Sequence, residues 1–196
     1  MSQIKLKHSG GNGVIIAAPS SNPAADRTIT LPDLTANATM ATVNGIKEFD
    51  HWHLTDDKTD NTDITANLSR YTQAGGASPL GTGMSESSGI FTFPSTGKYL
   101  VIATPIFQIN GFDNCNLSTV VTTNNSSYTS HSVALDGNNG SGVRGGMGSS
   151  FSFIDVTNTS NVKVKFTVGS LGSSSYLVGS STVIYTGFVF ARIGDS

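Results

Sequence analysis

Residues 88–103 constrain the fold of this chain more than any other stretch. A short aromatic strand, Phe91-Thr92-Phe93, runs into Pro94-Ser95-Thr96-Gly97, and a long apolar strand follows from Tyr99. Pro94 lacks a backbone donor and holds φ at about −65°. Gly97 tolerates positive φ, and β-branched and aromatic residues fill both flanks. The local chemistry therefore predicts a β-hairpin whose turn ends at Gly97 in the left-handed region.

A chain of 196 residues is long enough to bury a substantial core. Only 12% of those residues are charged, so Ser, Thr, Asn and Gly must supply the polar surface. The 37% hydrophobic content still suffices for a sandwich and argues against disorder. Exposed β-proteins of viral fibres and adhesins share this composition. A formal charge of −2 gives no basic face, so nucleic acid is not an expected partner. No run approaches the roughly 20 apolar residues that span a bilayer, and membrane insertion is not expected. The amino terminus lacks the apolar core of a secretory signal. Cys115, the single cysteine, cannot close an intramolecular disulfide. Together these features predict a protein made and folded in a reducing cytoplasm.

Two regions differ in texture. Residues 1–46 read as an arm, with short strand candidates at 13–18 and 28–31 ended by Pro19 and Pro32. Two short strands cannot bury a core of their own, so the arm must pack on a partner. Residues 47–196 read as an all-β head with turn signals every ten or so residues. Ile64, Ala66 and Leu68 alternate with polar residues. Val162, Val164, Phe166 and Val168 do the same around Lys163, Lys165 and Thr167, which predicts one buried face. Further strands are expected at 117–123, 132–135 and 150–156, while the Gly-rich stretch 136–148 reads as a loop. Two segments, 99–109 and 183–193, are apolar on both faces and so demand a second layer.

The pattern Gly-x-Phe-x-x-Pro-x-x-Gly-x-Tyr over residues 89–99 resembles the first hairpin of a C1q-like domain. Tyr185-Thr186-Gly187-Phe188-Val189-Phe190 is similar to the last strand of the same family. The resemblance implies a C1q/tumour necrosis factor-like jelly-roll β-sandwich, homotrimeric, carried behind an extended β-rich N-terminal arm. It further implies that the two doubly apolar strands lie near a three-fold axis, with Tyr99, Val101, Phe107, Tyr185, Phe188 and Phe190 at the trimer interface. The first forty residues also resemble segments common in phage fibre and decoration proteins.

Several constellations invite chemistry. Asp56, Asp57, Asp60 and Asp63, with Asn61, offer hard oxygen ligands that could hold Ca²⁺, though the spacing is not that of an EF-hand loop. The more usual reading is a solvated turn. His51 and His53 share one strand face and could begin a Zn²⁺ or Ni²⁺ site, or could simply flank a core Trp52 in solvent. Cys115 has no neighbouring His or Lys to activate it. There is no Gly-x-Ser-x-Gly elbow, no P-loop and no implied carboxylate pair, so the chain is not expected to be an enzyme and no cofactor is implied. Asn124, Asn125, Tyr128 and Tyr176 lie in Asn/Ser/Tyr-rich loops. Such loops suit either adaptable recognition of a host surface glycan or plain soluble loop tips.

The resulting expectation is a non-enzymatic, trimeric phage virion surface protein, either a capsid decoration or short head fibre, or a tail-fibre tip. The arm would join it to the major capsid or tail protein. The alternative is a glycan-binding adhesin at a fibre tip, and a capsule depolymerase is a more remote one.

Overall fold

The computed structural model describes residues 3–7, 10, 13–17, 46–72, 75–76, 78–172 and 174–196. The chain divides into two compact units, Met1–Thr42 and Val43–Ser196. In the first, β1 (Gln3–Lys7) and β2 (Gly13–Ala17) form an antiparallel ribbon with Ile4 opposite Ile16 and Leu6 opposite Val14. The strand expected at 28–31 lies outside the described residues.

The second unit contains thirteen strands: β3 (Phe49–Leu54), β4 (Leu68–Arg70), β5 (Ser85–Ser87), β6 (Ile90–Thr92), β7 (Gly97–Thr104), β8 (Ile106–Asn110), β9 (Asp113–Thr122), β10 (Tyr128–Asn138), β11 (Val143–Met147), β12 (Ser150–Val156), β13 (Lys163–Gly169), β14 (Tyr176–Leu177) and β15 (Gly187–Gly194). Every regular element among the described residues is a strand. Two five-stranded antiparallel sheets, ordered β12-β7-β15-β3-β4 and β10-β9-β13-β6-β5, make the sandwich. A three-stranded sheet, β11-β8-β14, joins them.

The core forms because inward positions alternate with outward ones along each strand. Val162, Val164, Phe166 and Val168 are all buried, as the pattern of residues 162–168 predicts. Aromatic rings lock the two sheets together: Phe166 meets Phe188 at 4.1 Å between centroids, and Phe91 meets Phe190 at 5.0 Å. Trp52 is a core residue, edge-on to Phe91, and its Nε1 donates to Asp50 Oδ2 at 2.8 Å. Asp50 is itself buried and also accepts from Arg70 Nη2 at 2.9 Å and from the Met84 amide at 2.7 Å. That knot holds β4 and the segment before β5 against β3.

Four expectations need correction. The first concerns the predicted hairpin. β6 and β7 do not pair; β6 joins β5 and β13 in one sheet, and β7 joins β12 and β15 in the other. The Pro94–Gly97 turn is thus a corner between sheets. Gly97 does have positive φ, +144°, well beyond the usual left-handed well. A Cβ there would also fall into the Arg192 guanidinium, whose Nε donates to the Thr96 carbonyl at 2.9 Å.

The second correction lies in residues 99–109. Pro105 cannot donate to a ladder, and it splits this run into β7 and β8, which belong to different sheets. The third is the Gly-rich stretch, which holds the end of β10 and all of β11. Gly145 and Gly146 pair with Gln108 and Phe107; a Cβ at Gly146 would meet Ile109 and Asp136, whereas Gly145 has open space around it. The fourth is the alternation at 64–68. Ile64 is buried, but Asn67 turns the backbone to φ +59° and only β4 is a strand.

Candidate self-association surface

Register decides which residues share a face, because directly opposed residues point the same way. Across the sheet β12-β7-β15-β3, Phe151 lies opposite Ile102, Ile102 opposite Val189, and Val189 opposite His51. The next row is Phe153, Leu100, Ala191 and Phe49. All eight point away from the core. Phe151 and Phe153 are 61% and 56% exposed. The result is a broad outward face that is almost wholly apolar, of a kind that marks an interaction site.

The other sheet presents a different exterior. Its middle strands carry Asn116, Ser118 and Val120 on β9, Lys163, Lys165 and Thr167 on β13, and Thr92 on β6, while on its edge strand β10 Val133 lies opposite Ser118 and Leu135 opposite Asn116. The lysines are partnered: Lys163 Nζ donates to Thr92 Oγ1 at 2.8 Å and Lys165 Nζ to Asp63 Oδ2 at 2.6 Å. Lys165 also sits 4.4 Å over the Tyr128 ring.

A second apolar feature lies on one edge. β10 and β12 are edge strands of opposite sheets, and hydroxyls join them: Ser132 Oγ and Ser152 Oγ are 2.7 Å apart, and His131 Nδ1 is 3.1 Å from Ser152 Oγ. A β-bulge between Ser130 and Ser132 turns His131 to make this contact. Along the same edge Val133 and Leu135 of β10 and Met147 of β11 are exposed. The Met147 amide donates to Asp136 Oδ2 of β10, which ties β11 to that edge.

The expected interface residues lie elsewhere. Tyr99, Val101, Phe107, Phe188 and Phe190 point into the core of a single chain with at most 1% of their surface exposed, so they have nothing to present to a neighbour. Only Tyr185 among the six is exposed. The parity is offset by one: the outward residues of the same strands are Leu100, Ile102 and Val189. Sequence identified the doubly apolar strands but not which of their faces looks outward, because two apolar faces look alike until the partner sheet is known. Phe151 and Phe153 were legible only as alternate apolar positions in β12.

The aspartates do not converge. Asp57 Oδ1 accepts from the Gly179 amide at 2.9 Å, Asp60 pairs with Lys58, and Asp63 pairs with Lys165 and Thr167. Hydrogen bonds from Lys58 and Thr62 hold the Asp60 carboxyl below the usual range. Burial works against ionisation of Asp63, but Lys165 and Thr167 outweigh it and lower its pKa as well. Among the described residues no three His, Cys, Asp or Glu side chains are placed to hold a metal ion. The Ca²⁺ reading of Asp56, Asp57, Asp60 and Asp63 is therefore corrected to a set of loop pins. Burial and the neighbouring Asp113 push the Cys115 thiol up to about 11, so it is not an activated nucleophile.

The four candidate ligand residues separate as well. Asn124 and Asn125 follow the Thr122 end of β9, whereas Tyr176 is paired to β8 beside the Asp113 end. A ten-residue strand spans about 30 Å, so the loops lie at opposite ends of the sandwich. The Asn124 carboxamide caps its own turn, accepting from the Ser126 and Ser127 amides. Tyr128 lies beneath Lys165 rather than in a cleft.

The histidines do not flank Trp52 in solvent. His53 is buried, with Tyr71 edge-on at 5.3 Å, and its Nδ1 has no partner. Burial lowers the pKa of both imidazoles, and His53 adds to the lowering at His51.

No family model and no curated protein matches the chain. Solved structures do. Murine APRIL at pH 5.0 aligns over 74% of this chain and 98% of its own, at 12% identity and a TM-score of 0.56. The Eiger TNF structure from S. frugiperda aligns over 76% and 93%, at 13% identity and a TM-score of 0.58. At such identities the likeness establishes a tumour necrosis factor-like jelly-roll fold.

Proposed function

We propose that this chain is a non-enzymatic structural module whose head assembles as a homotrimer and projects from a virion surface, with the N-terminal unit as its attachment. The observation that carries the reading is the apolar outward face of the β12-β7-β15-β3 sheet, set against the polar exterior of its partner sheet. An apolar edge and an apolar face on the same chain are not self-complementary, so one copy's edge covers the next copy's face, head to tail, and the contact closes as a ring. Closure at three copies is what the C1q/tumour necrosis factor-like resemblance implies. The virion setting draws on the low-charge, Asn/Ser/Thr/Gly-rich surface and on the separate N-terminal ribbon, too small to form a core of its own. Sedimentation of the purified chain should give three times 20.4 kDa. A monomer at micromolar concentration would sink the trimer. Truncation before Val43 should leave a folded trimeric head that no longer incorporates into particles; normal incorporation would place the attachment elsewhere.

A further inference from the structure

We propose that the assembly of the head is acid-labile, with His51 as the group that takes up the proton. The inference rests on the self-association proposed above and adds its regulation. His51 projects from the outward side of β3, in the sheet face that the neighbouring copy would cover; His53, on the same side, is already enclosed by its own chain. His51 continues the row Phe151, Ile102, Val189. It also lines a small cavity of about 120 Å³ with Phe49, Tyr71 and Pro79. His53 lies between Gly187 of β15 and Ser69 of β4, 2% exposed even in the single chain, with Nδ1 unpartnered.

A sensor of this kind needs surroundings that favour the neutral ring, and at His51 burial does so, outweighing the opposing attraction of Asp50. From β3 itself the charged neighbour is Asp50, which points to the opposite face and already accepts from Arg70, Trp52 and Met84. From β4 and the residue after it come Arg70, held on Asp50, and Tyr71. β15 contributes Gly187 and Val189 next to the histidines; its Arg192 lies further along, bonded to the Thr96 carbonyl and Asp195. β7 contributes Ile102 and Thr104, and its Lys98 pairs with Asp155 of β12 at the far end of the face. The segment before β15 brings the backbone of Ser180 to His53. Among the described residues no carboxylate bonds either ring. Covering this face with a second copy removes the remaining water.

The sign follows from linkage. Burial within the single chain already holds the His51 pKa below the ordinary 6.5, and covering its exposed part with a second copy lowers it further, so the separated chains bind the proton first as pH falls. The stability of the assembly is therefore present in full above the His51 pKa of the separated chain and is lost as pH falls from there through the lower, covered value. Sedimentation velocity of the full chain at about pH 7.5, 6.5 and 5 tests this. The wild-type mass should fall threefold between the highest and lowest pH and recover on neutralisation, with Trp52 emission reporting that the head stays folded. The variant His51→Gln should stay assembled throughout. If that variant does not fold, His51→Phe, which also takes up no proton, should do the same. A trimer that persists in wild type at pH 5, or an unmoved midpoint in the variants, overturns the acid response and leaves the assembly standing. A monomer at pH 7.5 overturns both. Loss of the response in His131→Gln alone would move the sensor to the β10–β12 edge and overturn this assignment.

Discussion

The two sheets share one core and have opposite exteriors. Outward residues of the β9-β13-β6 rows are mostly Asn, Ser, Thr and Lys, with Val120 among them, and the lysines find partners in Thr92 and Asp63. Outward residues of the β12-β7-β15-β3 rows are Phe, Leu, Ile, Val and Ala, whose only favourable partner is another apolar surface. The lesson is that inward alternation says how a strand folds, and outward alternation says what the sheet meets. The middle of one sheet presents polar groups; the middle of the other presents apolar ones.

The comparison can be broken most directly at its centre. Ile102→Lys with Val189→Lys should convert the proposed trimer to a folded monomer, a threefold fall in sedimenting mass. Ser85→Lys with Ser87→Lys on β5, at the far edge of the other sheet, should leave the mass unchanged. Equal effects on the two sheets would erase the distinction between them.

The next effect belongs to the support beneath the apolar sheet. Asp50→Ala strands Arg70 and removes acceptors from Trp52 and Met84. Breaking a buried pair on one side should cost about 3–5 kcal/mol. In a domain of this size each kcal/mol lowers the melting temperature by roughly 2–4 °C, so the melt should fall by about 6–20 °C. A melt within a degree of wild type would mean that the knot does not hold β4 in place.

Gly97→Val tests the corner that delivers the chain from the polar sheet to the apolar one. Positive φ costs a side-chain-bearing residue about 1–2 kcal/mol, and the collision with Arg192 adds overpacking strain of about 1–3 kcal/mol. Gly97→Ala should be milder because Ala lacks the branched methyls. An unchanged Val melt would show that the corner relaxes freely.

The smallest effect should come from Lys98 and Asp155, a 2.9 Å pair with both side chains more than a third exposed, at the rim of the apolar face. Asp155→Ala should change stability by less than about 1 kcal/mol. A larger loss of trimer than of monomer stability would show that the rim takes part in the interface.

Much of this was legible before any coordinates. Alternation in residues 162–168 locates β13 and names its buried residues correctly, because period-two burial is written locally, and residues 150–156 read as a strand without showing that Ser150 and Ser152 face inward and Phe151 and Phe153 outward. Turn chemistry at Pro94–Gly97 likewise marks where the chain changes direction and why a glycine stands there. The doubly apolar runs at 99–109 and 183–193 announce that something must lie on both sides of the sheet. What the sequence by itself determined was therefore the class of fold, the places where strands begin and stop, and the existence of surplus apolar surface.

Tertiary structure alone decided the partners. Gly97 opposes Val156, and Lys163 opposes both Thr92 and Thr122, and no local preference encodes separations of that length. For that reason a corner between sheets reads as a hairpin from its turn residues. The outward face of a doubly apolar strand also cannot be named from periodicity: Val101 and Ile102 are equally apolar, and only the position of the second sheet makes Val101 core and Ile102 surface. The aspartates and the loop tyrosines were dispersed by the same cause. Strand pairing between distant segments sets which side chains meet, and spacing along the chain does not.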